Sequence, residues 1–120
     1  MRLDSDAQRL KDVVAAGRRV QMYAEGVPVR EALQDDLRRS AILYRMVVHG
    51  EAAGYVGEAT QAALPGVPWK AMKNFRNILV HRYWSVSDEA VRAAVEESMP
   101  QVLQTIEEHL LTLDAPADPA

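Results

Sequence analysis

Arg76, Asn77, His81 and Tyr83 place a guanidinium, an amide, an imidazole and a phenol within about two turns of a helix. These groups suit phosphate chemistry. The arginine fork binds phosphate oxygens, and an imidazole transfers protons near neutral pH. The residues at 78–80 are all apolar, which predicts that the other side of the same segment is buried. A polar cluster fixed to a core helix has the rigidity that a reactive site needs.

The spacing of Arg76 and His81 leaves their relative geometry open. Five positions separate them, which is about 140° around an ideal helix, so they do not share a face. Asn77 and His81, four positions apart, do share one. Three arrangements bring the arginine and the histidine together: a distortion of the helix near His81, an Arg76 side chain that reaches around the helix, or a pairing of the two residues across a dimer.

Each of these residues also has a purely structural interpretation. His81 is placed to cap a helix C-terminus, where a partly cationic imidazole is favoured by ~0.3–1 kcal/mol. Arg76 is placed to form a surface salt bridge with a carboxylate such as Glu51. Because Glu51 lies in an apolar helical stretch, the pattern favours a structural ion pair for it over a catalytic role. Tyr83 and Trp84 fit ordinary packing at the end of a helix.

The charge distribution points to a local rather than a global affinity for nucleic acid. The formal net charge of the 120 residues is −3, and proteins that coat nucleic acids are usually basic overall. Four basic residues nevertheless cluster around the polar segment: Lys70, Lys73, Arg76 and Arg82. This cluster is either a phosphate-binding surface, in which Lys70, Lys73 and Arg82 flank the candidate site, or a solvated helix face.

The composition excludes several kinds of site. The chain has no cysteine, so disulfides and thiolate metal sites are excluded. Its three histidines, His49, His81 and His109, are too far apart in sequence for a local zinc motif, and neither a metal nor a cofactor is predicted. The N-terminus turns polar and acidic at once, unlike a signal peptide, and no apolar run is long enough to span a membrane. We therefore expect a cytoplasmic protein with no membrane partner.

Apolar residues recur every three or four positions along nearly the whole chain, which predicts helices throughout. The first helix is predicted at about 3–24, and Gly26 and Pro28 then interrupt the pattern. A short helix is predicted at 29–33 and a long second helix at 37–59. The second helix contains three glycines, which lack side chains and so leave room for another helix to approach closely: Gly50, Gly54 and Gly57.

The polar segment falls on the third long helix. This helix is predicted to follow a loop at 64–68, with Pro68 in its first turn, and to end within 81–84. Ser85 and Ser87 are candidate N-caps for the last helix. The site residues are therefore expected on the final turns of one helix and in the connection that follows it.

Four main helices with short connections predict an all-α protein. The last helix carries an apolar stripe up to Leu113, and Pro100 within it is expected to bend or break it. The segment 114–120, rich in proline, alanine and aspartate, is predicted to be a disordered tail. We therefore expect one domain at 1–113, folded as an antiparallel four-helix bundle with a short extra helix and a kinked last helix.

The arrangement of the polar segment and its flanks resembles the HEPN superfamily, and within it the HepT-like toxins encoded beside a minimal nucleotidyltransferase antitoxin of the MntA type. The segment at 76–86, RNILVHRYWSV, resembles the family's Arg-x4-His-x-Tyr signature. The segment at 49–53, HGEAA, resembles its Gly-Glu-Ala segment, and VPWK at 67–70 resembles the start of its motif helix. The segment at 91–100, proline included, resembles its closing helix. The likeness covers nearly the whole chain except the tail.

This resemblance implies a metal-independent endoribonuclease toxin. The ribose 2′-OH would attack the adjacent phosphate and expel the 5′-oxygen, which needs one group for the protons and one for the developing negative charge. His81 matches the first role and Arg76 the second, while Asn77 is placed to orient His81 or to donate to a phosphate oxygen. No second histidine lies nearby. Family members are generally homodimers, in which a two-fold axis supplies a second copy of the motif.

The resemblance also implies a partner and a means of control. In the HepT-like toxins, the tyrosine of the motif is modified with AMP by the cognate nucleotidyltransferase antitoxin, and Tyr83 occupies that position. Phosphate added there would lie beside Arg76 and His81 and would repel RNA. A different class of function fits the same residues: a non-catalytic helical dimer that serves a nucleotidyltransferase as a partner or nucleotide-binding module.

Overall fold

The computed structural model of the protein describes residues 2–114, which form seven α-helices and no strand. Four of the helices are long, and this confirms the all-α class and the four-helix bundle with additional short helices. The helices are α1 (Arg2–Tyr23), α2 (Val29–Ala32), α3 (Asp36–Gly54), α4 (Glu58–Ala63), α5 (Trp69–His81), α6 (Asp88–Ala93) and α7 (Met99–Asp114).

Each long helix packs against one or two of the other long helices. Helix α1 contacts both α3 and α7, and α3 contacts α5. Arg9, near the start of α1, donates to the carbonyl of Tyr55 just after α3, so these two helices run antiparallel. Fully buried apolar side chains fill the space between the helices, among them Leu10, Ile42, Leu103 and Ile106. This core holds α5 against α3, and α5 is the helix that carries the polar segment.

The second long helix is shorter than predicted. It ends at Gly54 rather than near residue 59, and the separate helix α4 begins at Glu58. The cause is a capping contact from the first helix: Asp6 accepts hydrogen bonds from the Gly57 N–H at 3.1 Å and from the Thr60 hydroxyl at 2.6 Å. A carboxylate that accepts from the N-cap N–H and from a hydroxyl of the first turn stabilises the start of a new helix at that point.

The last helix is distorted before Pro100 but is not broken. Residues Ala94–Ser98 adopt a π-helical stretch between α6 and α7. Proline lacks the N–H that would bond to the carbonyl four residues earlier, and the wider turn lies in the residues just before Pro100. Arg92 supports this stretch, because it donates to Glu97 five positions later at 2.8 Å. It also donates to Glu89, and these bonds hold the pKa of Glu89 down at about 2.

The predicted capping serines behave differently from each other. The Ser87 hydroxyl accepts from the Ala90 N–H at 3.0 Å and caps α6, as predicted. Ser85 is not a cap: it lies in the 3₁₀ turn Tyr83–Ser85, and its hydroxyl donates to the Arg82 carbonyl at 2.9 Å. This turn carries the chain from the end of α5 to the start of α6.

The two ends of the predicted domain are only partly described. Helix α7 continues to Asp114, one residue beyond the predicted boundary of the domain. The rest of the predicted tail, 115–120, lies outside the described residues. Within residues 2–114, no helix has both the length and the apolar character that a membrane span requires.

Candidate functional site

Helix α5 is fixed at its start by its first residue. The Trp69 indole N–H donates to the Leu64 carbonyl at 3.0 Å, which ties the helix to the loop before it. Val67 in that loop and Leu79 near the other end of α5 are both buried. The helix is therefore held at both ends, and the orientation of its polar face is set by the core.

A glycine on α3 lets α5 approach closely beside Arg76. A Cβ atom placed on Gly50 would lie 2.6 Å from the Arg76 Cβ and 3.3 Å from the Met72 backbone oxygen. Real Cβ atoms do not tolerate contacts of 2.6 Å, so only glycine fits between the two helices at this level. The prediction that small residues in the second helix admit a close neighbour is confirmed at Gly50.

The Arg76 guanidinium lies between two oxygen acceptors. Its Nε and Nη2 atoms both donate to Glu51 Oε2, at 3.0 and 2.5 Å, and its Nη1 atom donates to Asn77 Oδ1 at 3.0 Å. The side chains of Arg76 and Glu51 are partly accessible, with exposed fractions of 27% and 41%. The salt bridge to Glu51 that the sequence allowed is therefore present, and the guanidinium stays within reach of solvent.

Arg76 and His81 are not brought together within one chain. Helix α5 remains α-helical from Trp69 to His81, which rules out the first of the three arrangements, a distortion of the helix near His81. The Arg76 side chain turns to Glu51 and Asn77, and no hydrogen bond joins it to His81 in the described part of the chain. The pairing of the two groups across a dimer stays a prediction.

His81 is exposed and Asn77 is half-buried. His81 lies in the last turn of α5, and no hydrogen bond engages its imidazole within residues 6–113. Because arginine only donates, the oxygen of the Asn77 amide must face Arg76 and its NH₂ must point away. Asn77 thus contacts Arg76 rather than His81. The sequence did not predict this contact, because residues next to each other on a helix do not normally face one another.

Of the four basic residues near the candidate site, three are exposed and Arg76 is partly buried. Lys70 and Lys73 are exposed on α5, and Arg82 is exposed just after it. On an ideal helix, Lys70, Asn77 and His81 fall within about 40° of one direction. They form one stripe, and Arg76 lies about 120° from Lys70, on the side of α5 that packs against α3. Of the four predicted basic residues, Arg76 alone has a salt-bridge partner among the described residues.

Tyr83 lies beyond the helix that carries the rest of the site. It is the first residue of the 3₁₀ turn, and 63% of its surface is exposed. Its ring meets the Trp84 ring edge to face, with the ring centres 5.7 Å apart. The hydroxyl has no hydrogen-bond partner within the described chain. The tyrosine is therefore accessible to an enzyme that would modify it.

A cavity of about 460 Å³ lies between α5 and the π-helical stretch. Met72 and Phe75 of α5 line it, as does the buried His49 of α3. The Nδ1 atom of His49 donates to the Val13 carbonyl at 2.8 Å, since a carbonyl only accepts. Burial lowers the pKa of His49 below 6.5, and this hydrogen bond opposes the shift. His49 belongs to the interior and not to the polar stripe.

Among residues 6–113, whose side chains the structure describes, no group of three or more His, Asp or Glu side chains has the proximity that a metal site requires. The candidate site residues of α5 offer hydrogen-bond donors: the guanidinium of Arg76, the amide of Asn77 and the exposed imidazole of His81. Donors of this kind suit an anion such as a phosphodiester.

Comparison with known proteins points in one direction. The model of a family described as "Ribonuclease HepT-like" matches residues 13–109, a range that contains every candidate site residue. A Methanocaldococcus jannaschii protein named "Putative RNase MJ1380" is 26% identical over 82% of this chain and 90% of its own length. "Putative RNase MJ0127" of the same organism is 27% identical over 84% of this chain and 78% of its own length.

A further relative carries the family's name. The "Probable ribonuclease HepT" of Thermococcus cleftensis is 23% identical over 78% of this chain and 84% of its own length. No solved structure is significantly similar to the chain.

Proposed function

The chain belongs to the ribonuclease HepT-like family of the HEPN superfamily, and on that premise we propose that it is an endoribonuclease toxin that cleaves RNA without a metal ion. The relatives named as ribonucleases support an RNA substrate. The observation that carries the proposal is the state of Arg76: its guanidinium is fixed between Glu51 and Asn77, yet it remains partly open to solvent on the same helix as an exposed His81.

The proposed reaction is an internal transfer at one phosphodiester. The ribose 2′-oxygen forms a bond to phosphorus and loses its proton to His81, while the bond from phosphorus to the 5′-oxygen breaks. The leaving oxygen takes up a proton, so the products end in a 2′,3′-cyclic phosphate and a 5′-hydroxyl. Arg76 stabilises the charge on the non-bridging oxygens, and the Asn77 NH₂ adds a further donor.

We propose that the active form is a homodimer. One His81 imidazole accepts a proton early in the reaction, and a second acid is needed to donate one to the leaving oxygen. A two-fold axis beside α5 would provide the partner's copy of the same residue and would bring Arg76 of one subunit near the histidine of the other. Lys70, Lys73 and Arg82 would then bind the phosphates on either side of the cleaved bond.

The direct test uses a labelled RNA oligonucleotide in buffer that contains EDTA. We expect cleavage to continue in EDTA and to give cyclic phosphate ends. Replacement of all 2′-hydroxyls by hydrogen should abolish cleavage, because the attacking group is then absent. Cleavage that requires added magnesium, or that persists on the 2′-deoxy substrate, would contradict the proposed reaction.

We further propose that a cognate minimal nucleotidyltransferase antitoxin adds AMP to Tyr83. The exposed hydroxyl and the short sequence distance to His81 support this site. Each added AMP places a negatively charged phosphate near the cationic end of α5, where it competes with RNA. We expect co-expression with the nucleotidyltransferase to increase the intact mass by whole AMP units and to stop RNA cleavage.

Two other tyrosines provide a matched control for the modification. Tyr44 and Tyr55 are as exposed as Tyr83, at 62% and 61%. The mass increase should disappear in Tyr83→Phe and remain in Tyr44→Phe and Tyr55→Phe. A mass increase that survives Tyr83→Phe would assign the modification to another residue.

One observation favours a second function. The charge of Arg76 is already balanced by Glu51, as in an ordinary structural ion pair. On this alternative the bundle is a non-catalytic dimer that serves the nucleotidyltransferase as a partner or nucleotide-binding module. Binding of the nucleotidyltransferase without any RNA cleavage, unchanged in Arg76→Ala, would support it.

A further inference from the structure

The contacts of Arg76 leave a defined part of its guanidinium unused. An arginine side chain has five N–H groups. Three of them donate within the chain: Nε and Nη2 to the same oxygen of Glu51, and Nη1 to Asn77. One N–H on each terminal nitrogen therefore has no partner among the described residues. N–H groups on the two terminal nitrogens are the donors that an arginine offers to phosphate oxygens.

Contacts along its whole length restrict the Arg76 side chain. The first carbons of the side chain lie against Gly50, where a Cβ would come within 2.6 Å of Cβ and 3.2 Å of Cγ. Glu51, the next residue of α3, holds the guanidinium at the other end of the side chain. Adjacent residues of one helix thus hold the base and the tip of the arginine. Free arginine side chains sample many rotamers, and this restriction removes most of that freedom before a ligand arrives.

From this geometry we propose that Glu51 is a positioning residue, which orients Arg76 so that its two unused N–H groups face the phosphodiester. This inference rests on the proposed ribonuclease function. Glu51 does not contact the substrate in this account. It acts through its Oε2 atom, which accepts from Nε and Nη2 and so fixes the rotation of the guanidinium plane. An acceptor is required at this position, whereas the negative charge is not.

The negative charge of Glu51 opposes RNA binding, whereas the orientation that Glu51 gives to Arg76 favours it. A carboxylate beside the phosphate site weakens the attraction between Arg76 and a polyanion. Glutamine keeps an oxygen that accepts from the guanidinium and removes the charge, whereas alanine removes both. Comparing Glu51→Gln with Glu51→Ala therefore separates the effect of the Arg76 orientation from the effect of the Glu51 charge.

The kinetic test compares Glu51→Gln and Glu51→Ala. We expect Glu51→Ala to lower kcat on the order of 10- to 100-fold, because small displacements of a catalytic group are costly. Glu51→Gln should keep kcat within about 3-fold of the wild type and should not raise KM. Glu58→Ala on α4 removes an exposed glutamate with the same change in charge, and it should leave both constants unchanged. Equal losses of kcat in the Gln and Ala variants would overturn the proposal.

A second readout does not depend on cleavage. The Nε–H resonance of Arg76, followed by ¹⁵N NMR, should be protected from exchange in the wild type and in Glu51→Gln but not in Glu51→Ala. An RNA analogue with 2′-hydrogens, which cannot be cleaved, should shift this resonance in the first two proteins only. If the wild type cleaves no RNA, the ribonuclease proposal fails while these spectra still decide the role of Glu51. An Arg76 resonance that is identical in all three proteins would overturn that role.

Discussion

His81→Ala is expected to lower the rate of RNA cleavage by about 10²- to 10⁴-fold, the usual contribution of a general acid or base. The protein should keep its fold, because His81 is exposed at the end of α5 and donates no hydrogen bond within the described residues. Single-turnover cleavage of a labelled oligonucleotide measures the rate. Thermal unfolding of the same samples should show a melting temperature close to that of the wild type.

A matched substitution and a mixing experiment sharpen this test. His109→Ala removes a histidine from α7, far along the chain from the motif, and should cleave RNA normally. If both histidines of a dimer act in one reaction, adding excess His81→Ala to the wild type should reduce cleavage more steeply than the fraction of wild-type subunits, since each mixed dimer lacks the second histidine. A loss in simple proportion to that fraction would place the whole reaction in one subunit, and full activity of His81→Ala would refute its role.

The sequence predicted the helices well because the pattern that identifies them is local. The apolar spacing located α1 and α5 to within one or two residues. The end of α3 was placed wrongly because its cause is distant: the carboxylate of Asp6 that caps α4 at Gly57 lies 51 positions earlier in the chain. No pattern around residues 54–58 contains that information.

The residues of the candidate site could be predicted from the sequence, but their hydrogen-bond partners could not. The types and order of Arg76, Asn77 and His81 pointed to phosphate chemistry, and Glu51 was already a possible partner for Arg76. The direction of the Arg76 side chain depends on how closely α3 approaches α5, and packing sets that approach. Sequence spacing therefore gave the angle between Arg76 and His81, while only the fold revealed which acceptors hold the arginine.

Gly50→Ala is expected to destabilise the protein by on the order of 1–3 kcal/mol, as overpacking in a tight core usually does. The added methyl group would lie 2.6 Å from the Arg76 Cβ and 3.3 Å from the Met72 backbone oxygen. Neither atom can rotate away, because both are fixed by the course of α5, so the helices must separate. Urea unfolding measures the loss of stability, and the same displacement should move Arg76 from Glu51 and reduce RNA cleavage.

The matched control lies four residues further along the same helix. A Cβ on Gly54 would have no neighbour within 4 Å, so Gly54→Ala gains helix propensity without a clash and should stabilise the protein by about 0.5–1 kcal/mol. If the change in stability is negative for Gly50→Ala and positive for Gly54→Ala, the effect of packing between the helices is separated from the effect of helix propensity. If Gly50→Ala is also stabilising, α5 does not approach α3 as closely as described. The restriction of Arg76 by Gly50 and Glu51 would then lose its structural basis.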